Sequence, residues 1–154
     1  MIRTYRPSDL EILKEITATC FDGVSIDQNI EKRFGPIGGR TWQWRKVRHI
    51  DADVEANPDG VFVDEKDGRV VGYITARIDR GSKIGWIPNM AVLPVYQGLG
   101  IGKALMQKAL DYFRREGMLF AKIETLDQNP VGTQFYPKVG FVEVARQIHY
   151  VMPL

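Results

Sequence analysis

Residues 95–105, VYQGLGIGKAL, decide how this chain is read, because glycines at 98, 100 and 102 stand directly before a run of helical character. A glycine inside a helix costs about 1 kcal/mol relative to alanine, so three at a helix entrance need a reason. Two phosphate-binding templates fail on this stretch. A P-loop would need glycine where Gln97 stands and Ser or Thr where Ala104 stands. A dinucleotide fingerprint started at Gly98 ends on Lys103, and started at Gly100 it ends on Leu105. What remains is Q-x-x-G-x-G, formed by Gln97, Gly100 and Gly102 between a strand and a helix. The first turn of a helix presents unpaired N–H groups and the positive end of its dipole. Bare glycines let an anion approach that backbone, and Lys103 adds charge at the rim. The alternative is a flexible strand-to-helix turn.

Working outward, Met1–Tyr5 is a short strand candidate stopped by Pro7, and Ser8 or Asp9 can cap a helix with Leu10, Leu13, Ile16 and Thr17 on one side. Residues 22–40 show only turn signals, at Gly35-Pro36 and Gly38-Gly39. From Thr41 to Glu55 the spacing is helical, with Trp44, Val47, Ile50 and Val54 as the apolar arc and Trp42, Arg45 and His49 opposite. GVFVDE and RVVGYITARI, joined at Lys66-Asp67-Gly68, predict an antiparallel hairpin. A third run, Ile84–Val92, contains Pro88 and should form an edge or a bulge there. The helix after the glycines extends to about Glu116, closed by Gly117, with Leu105, Met106, Ala109, Leu110 and Phe113 inward. LFAKIETL is a strand, Asn129-Pro130 opens a short helix ending at Gly140, and FVEVARQIHYVM is expected to finish as a strand. This order predicts one α+β domain over residues 1–154, with a mixed sheet.

The totals narrow the function. Net charge is +2, too mild to argue for nucleic acid or an anionic membrane. Cys20 is the only cysteine and the histidines are His49 and His149, so no metal centre is expected. Cys20 also lies far along the chain from the glycine-rich stretch and reads as a small buried hydrophobe. No apolar run reaches membrane-span length and the first residues lack a signal-peptide apolar stretch, so a cytoplasmic protein is the expectation. Between Lys32 and Ile50 stand Lys32, Arg33, Arg40, Arg45, Lys46 and Arg48, with tryptophans interleaved. That stretch is a solvated helix face or, alternatively, a groove for single-stranded nucleic acid.

AVLPVYQGLGIGKALM (91–106) resembles motif A of the GNAT superfamily of acyl-CoA-dependent N-acyltransferases. NPVGTQFYPKVGF (129–141) resembles that family's motif B, with Asn129, Tyr136, Gly140 and Phe141 in register. DGRVVGYI resembles the family's strand entering the core. The resemblance implies a β-α-α-β-β-β-α-β-α-β fold whose mixed sheet splays between the fourth and fifth strands. It implies acetyl-CoA as co-substrate, without a metal. The pantetheine arm would lie in the gap on the backbone of Met90, Ala91 and Val92, and the pyrophosphate on the amides of Gln97, Gly98, Leu99, Gly100, Ile101, Gly102 and Lys103. A backbone N–H near Ala91 or Val92 would stabilise the oxyanion, and Tyr136 matches the general acid. Asn129 either caps its helix or also contacts the cofactor.

The chain departs from the family in three places. Trp86 stands where several members carry a glutamate base, which leaves Asp22, Glu31, Asp79 and Glu124 as candidates or a water chain in its place. Gly132 replaces a frequent alanine, and Pro137 should kink the helix after Tyr136. The resemblance implies that the early helices wall the acceptor pocket, so Trp42, Arg45 and His49 are candidates to face a small-molecule or peptide amine. The reaction implied is direct attack of a primary amine on the thioester in a ternary complex, by a monomer or homodimer that binds neither nucleic acid nor membrane. The alternative is a CoA-binding sensor or interaction module that has lost the chemistry.

Overall fold

The computed structural model describes residues 1–154. In chain order the elements are β1 (Ile2–Thr4), α1 (Leu10–Cys20), α2 (Ile26–Phe34), α3 (Trp42–Ala56), β2 (Val61–Lys66), β3 (Arg69–Thr75), β4 (Arg77–Asp79), β5 (Ile84–Ile87), β6 (Met90–Val92), α4 (Ile101–Arg115), β7 (Phe120–Ile123) and α5 (Pro130–Val139). They form α+β architecture with two half-sheets. One has the order β1-β2-β3-β6 and is antiparallel throughout; the other has the order β4-β5-β7, with β5 and β7 parallel.

Each face of this layer carries its own apolar cluster. Leu13 and Ile16 of α1 and Ile50 of α3 pack on Val61, Val63, Tyr73 and Ala91. On the other face, Ile101, Leu105, Met106, Ala109, Tyr112 and Phe113 of α4 recur at helical spacing and cover Phe62, Val71, Ile74 and Ile87. Gly85 makes room for this helix, since a Cβ there would lie 2.4 Å from the Phe113 ring. No helix is long and apolar enough to cross a membrane.

Two expected strands are broken. RVVGYITARI divides at Ala76, whose carbonyl accepts a hydrogen bond from Asn57 Nδ2 at 2.7 Å. Ile84–Val92 divides at Pro88-Asn89, where proline has no ladder donor to give. Residues 26–34 are helical although only turns are legible around them; Ile26, Ile30 and Phe34 recur four residues apart, a stripe too short to stand out, and α2 buries no residue fully.

The inward face of α3 also differs from the expected arc. Trp42, Lys46, Ile50 and Asp53 are buried, while Trp44 is exposed between the guanidiniums of Arg40 and Arg48, 4.6 and 4.4 Å from its ring centroid. Counting hydrophobes misplaced this face because two of its inward residues are charged, and both find buried polar partners on the sheet. The largest correction is at the C-terminus. Residues 142–154 form no strand and make no backbone hydrogen bond, and Val144 and Tyr150 are 93% and 87% exposed. Their alternation is that of a strand, but a strand exists only against a partner edge, and this segment runs clear of the chain's own sheet.

Candidate active site

The site begins where the sheet parts. β5 runs beside β7 with Ile84 opposite Phe120 and Ile87 opposite Ile123. After Pro88-Asn89 the chain crosses to β3 and leaves β7 behind. Thr75 N–H donates to the Asn89 carbonyl and Leu93 N–H to the Val71 carbonyl, each at 2.9 Å, and Tyr73 lies opposite Ala91 between them. Ladder bonds of an antiparallel pair fall on alternate residues, so 89, 91 and 93 face β3. Met90 and Val92 therefore turn their backbone groups toward the gap. The Val92 carbonyl is taken by Gln97 Nε2 at 2.9 Å and the Cys20 thiol at 3.4 Å; the Val92 N–H has no partner in the chain. Cys20 thus sits beside the first motif rather than far from it. Burial pushes its thiol up to about 11, which keeps it an inert hydrogen-bonded hydrophobe.

A buried polar knot fixes this crossing. Asn89 donates through Nδ2 to Asp53 Oδ2 at 2.7 Å, accepts from Lys46 Nζ at 2.7 Å, and gives its backbone N–H to Thr75 Oγ1 at 3.0 Å. Asp53 also accepts from Thr75 Oγ1 at 2.9 Å and from Arg77 Nη2 at 2.8 Å. Desolvation lowers Lys46 to about 8, against the pull of Asp27 and Asp53. None of these residues stood out in the sequence; the available signal was a polar asparagine directly after the bulge proline.

The glycine stretch forms the rim of the same gap. Gly98 and Gly100 have φ of +77° and +82°, the left-handed region that glycine enters without strain, and a Cβ on either would meet nothing within 4 Å. The first helical bond of α4 is Ala104 N–H to the Gly100 carbonyl at 3.0 Å, and none of the amides of residues 98–103 donates within the chain. Gly102 lies against both motifs, since its Cβ would stand 3.1 Å from Met90 Cε and 3.8 Å from Phe135 Cζ.

Asn129 caps α5, accepting from Gly132 N–H at 3.2 Å while its Nδ2 donates to Thr125 Oγ1 at 3.0 Å. The departure at Gly132 has a steric cause: a Cβ there would lie 2.6 Å from Thr125 Oγ1. Tyr136 is flanked edge-on by Phe135 and Phe141, with centroids 5.6 and 6.0 Å away, and burial pushes its phenol up to about 12. α5 continues through Pro137 to Val139.

On the α3 side a cleft of about 340 Å³ is lined by His49, Ala52, Asp53, Arg77, Trp86, Pro88 and Asn89. Trp42, Arg45 and His49 share one side of α3 but do not all reach this cleft. Trp42 is core, and Arg45 is held by the Asp27 carbonyl at 3.0 Å and its carboxylate at 3.4 Å; His49 alone reaches the cleft. Among the four candidate carboxylates, Asp22 receives Gln28, Glu31 receives the Trp42 amide and Asp79 receives the Gly81 amide. Glu124, just past the end of β7, instead accepts from Trp86 Nε1 at 2.6 Å and is 3.2 Å from Lys122 Nζ. Above this side, Gln128 exchanges hydrogen bonds with Asn29 at 2.8 and 3.1 Å and so ties α2 to the segment before α5.

A profile of the acetyltransferase (GNAT) family matches residues 24–141, which covers the splayed strand, the glycine rim and α5. The chain belongs to that GNAT acetyltransferase family. It is 28% identical to a mycothiol acetyltransferase of Thermomonospora curvata over 99% of its own length, and spans 55% of that relative. It is 36% identical to an N-alpha-acetyltransferase of Sulfurisphaera tokodaii over 58% of its length and 60% of the relative's. This GNAT chain thus spans little more than half the length of these curated relatives. Its fold matches the PaiA N-acetyltransferase of Thermoplasma acidophilum, solved with coenzyme A, with a TM-score of 0.74 at 22% identity, covering 92% of this chain and 89% of that one.

Proposed function

We propose that this chain transfers an acetyl or other short acyl group from acetyl-CoA to a primary amine by direct attack within a ternary complex. The observation that carries this reading is the run of amides at 98–103 that donate to nothing, set beside the unpaired Val92 N–H and the backbone of Met90, which faces away from β3. A diphosphate fits such a rim: it takes several N–H groups at once, the α4 dipole and Lys103 favour its charge, and no side chain at 98 or 100 stands in the way. The extended pantetheine arm, with its amide groups, fits an open strand edge.

Within this reading each residue has a task. The amides of residues 98–103 hold the diphosphate, and Met90 and Val92 align the arm; the Gln97 N–H is taken by the Pro94 carbonyl at 3.2 Å and Ala91 faces β3, so neither of these expected contacts is free. The Val92 N–H faces the charge that develops on the thioester oxygen, a type of contact commonly worth about 3–4 kcal/mol. Tyr136 protonates the leaving thiolate; a phenol raised to about 12 stays protonated at neutral pH and keeps its proton available. Asn129 supports α5 as its cap. An alkyl ammonium must lose a proton before it attacks; in this reading Glu124 receives it, directly or through water, and its hydrogen bond from the Trp86 indole supports that role. Trp86 and Arg77, whose guanidinium stands 5.5 Å from the indole ring centroid, favour an acceptor bearing a planar or anionic group, with His49 lining the same cleft.

The absence of a glutamate at position 86 favours a second reading, a CoA-binding module without turnover. Release of free thiol from acetyl-CoA with a panel of amines decides between them. Amine-dependent release supports transfer; CoA binding with no release from any amine supports the module.

A further inference from the structure

We infer that the outward face of α3, with the turn leading into it, docks an acidic, extended segment of a partner protein through Arg40 and Arg48. Between residues 32 and 50 the chain carries six Lys or Arg side chains and no acidic one. Two of these are engaged within the fold, Lys46 on Asn89 and Arg45 on Asp27. Lys32, Arg33, Arg40 and Arg48 are exposed and carry no ion pair. By contrast Arg3, Arg77, Arg80 and Arg114 each hold a carboxylate. Arg40 and Arg48 instead flank the exposed indole of Trp44, their guanidinium carbons 4.6 and 4.4 Å from its ring centroid. A guanidinium stacked on a ring keeps its N–H edge free, and that edge is a fork matched to a carboxylate.

The two forks are held ready. Ile37 and Arg40 exchange backbone hydrogen bonds at 3.2 and 3.0 Å around Gly38-Gly39, whose φ of +56° and +72° close the turn before α3. The Arg40 carbonyl accepts from Arg45 Nη1 at 3.4 Å, and Arg45 is anchored on Asp27 of α2. Groups fixed in this way lose little freedom on binding, which lets a small patch hold a ligand. Because both guanidiniums share one ring, carboxylates about 7 Å apart reach them together, the repeat of alternate side chains on an extended chain. Ile37, exposed across the turn from Arg40, offers apolar contact to the same segment. Single-stranded nucleic acid fits less well: it stacks its bases on open aromatic faces, and here the chain's own guanidiniums occupy the indole.

The test uses the full chain and a synthetic peptide carrying aspartate at alternate positions with serine between. Calorimetry at low salt should give saturable binding that weakens as salt is raised. In isotope-labelled protein the peptide should shift the Nε–H signals of Arg40 and Arg48 and the indole N–H of Trp44 on one saturation curve. A variant carrying Arg40→Gln and Arg48→Gln should bind roughly 30-fold more weakly with its unfolding midpoint kept. Arg40→Lys with Arg48→Lys should recover little of that loss, because an ammonium has no fork. Should the glutamine variant fail to fold, the arginine shifts in the unaltered chain still decide. No binding, shifts that fall elsewhere, or full recovery by lysine would overturn the proposal. So would a uridine oligonucleotide or phosphatidylserine vesicles that bind the same arginines more tightly than the peptide.

Discussion

Removing the Asp53 carboxylate should damage this protein more than any other single truncation on the α3 side. The side chain is 2% exposed and accepts from Thr75, Asn89 and Arg77. Asp53→Ala leaves a buried hydroxyl, a buried amide and a guanidinium without their acceptor. Hydrogen bonds to a charged group contribute about 1.5–3 kcal/mol each, but the partners are coupled and partly rehydrate, so the expected loss is about 3–5 kcal/mol. That is a large part of the stability of a domain this size. Urea denaturation followed by tryptophan fluorescence measures it. Asn89→Ala should cost less alone, and the double variant should fall short of the sum by about 1–2 kcal/mol, because the two share one knot. The consequence for the site is separate: Asn89 immediately precedes Met90, so at temperatures where Asp53→Asn remains folded, turnover should drop about tenfold as the gap loses its fixed wall. An Asp53→Ala midpoint shift worth less than 1 kcal/mol would refute the claim that this carboxylate organises the crossing.

Tyr136→Phe should lower turnover by about 100-fold or more while CoA affinity stays within a factor of about two, measured by thiol release and calorimetry; unchanged turnover removes the phenol from the mechanism. Lys46 titrates near 8 in the folded chain and at its ordinary, higher value when unfolded. Above pH 8 the unfolded state therefore holds more protons, and stability should rise with pH by up to about 1 kcal/mol between pH 8 and 9. The window closes there because the Cys20 thiol, raised to about 11 when folded, begins to oppose it. The rise should vanish in Lys46→Met, as followed by chemical denaturation across that range. Gly132→Ala should destabilise by about 1–3 kcal/mol through contacts with Thr125 Oγ1 and Asn129 Nδ2, and Thr125→Ala should recover only the first part of that; a neutral Gly132→Ala would show that the loop before α5 yields freely.

The parts of this fold legible in the sequence are those governed by local chemistry. Pro88 forecast the break in its strand, Asn129-Pro130 the start of α5, and the glycines the opening of α4. The parts that escaped depend on partners distant in the chain. Lys46 and Asp53 are inward because Asn89, Thr75 and Arg77 wait on the sheet, and no periodicity of hydrophobes can register that. Glu124 stands level with three other carboxylates in the sequence, and its contact with Trp86 depends on the pairing of β5 with β7, which no local pattern shows. The C-terminal segment has much of a strand's alternation and was expected as a strand, yet it forms none, because alternation specifies a face and not the edge it joins.

The central claim concerns the uncovered amides at the entrance to α4. Titration of coenzyme A into isotope-labelled protein, followed by amide spectra, tests it residue by residue. The largest shifts should fall on residues 98–103, with Met90 and Val92 next, all following one saturation curve. Saturable binding that leaves those amides unmoved, or no binding at all, would contradict the account.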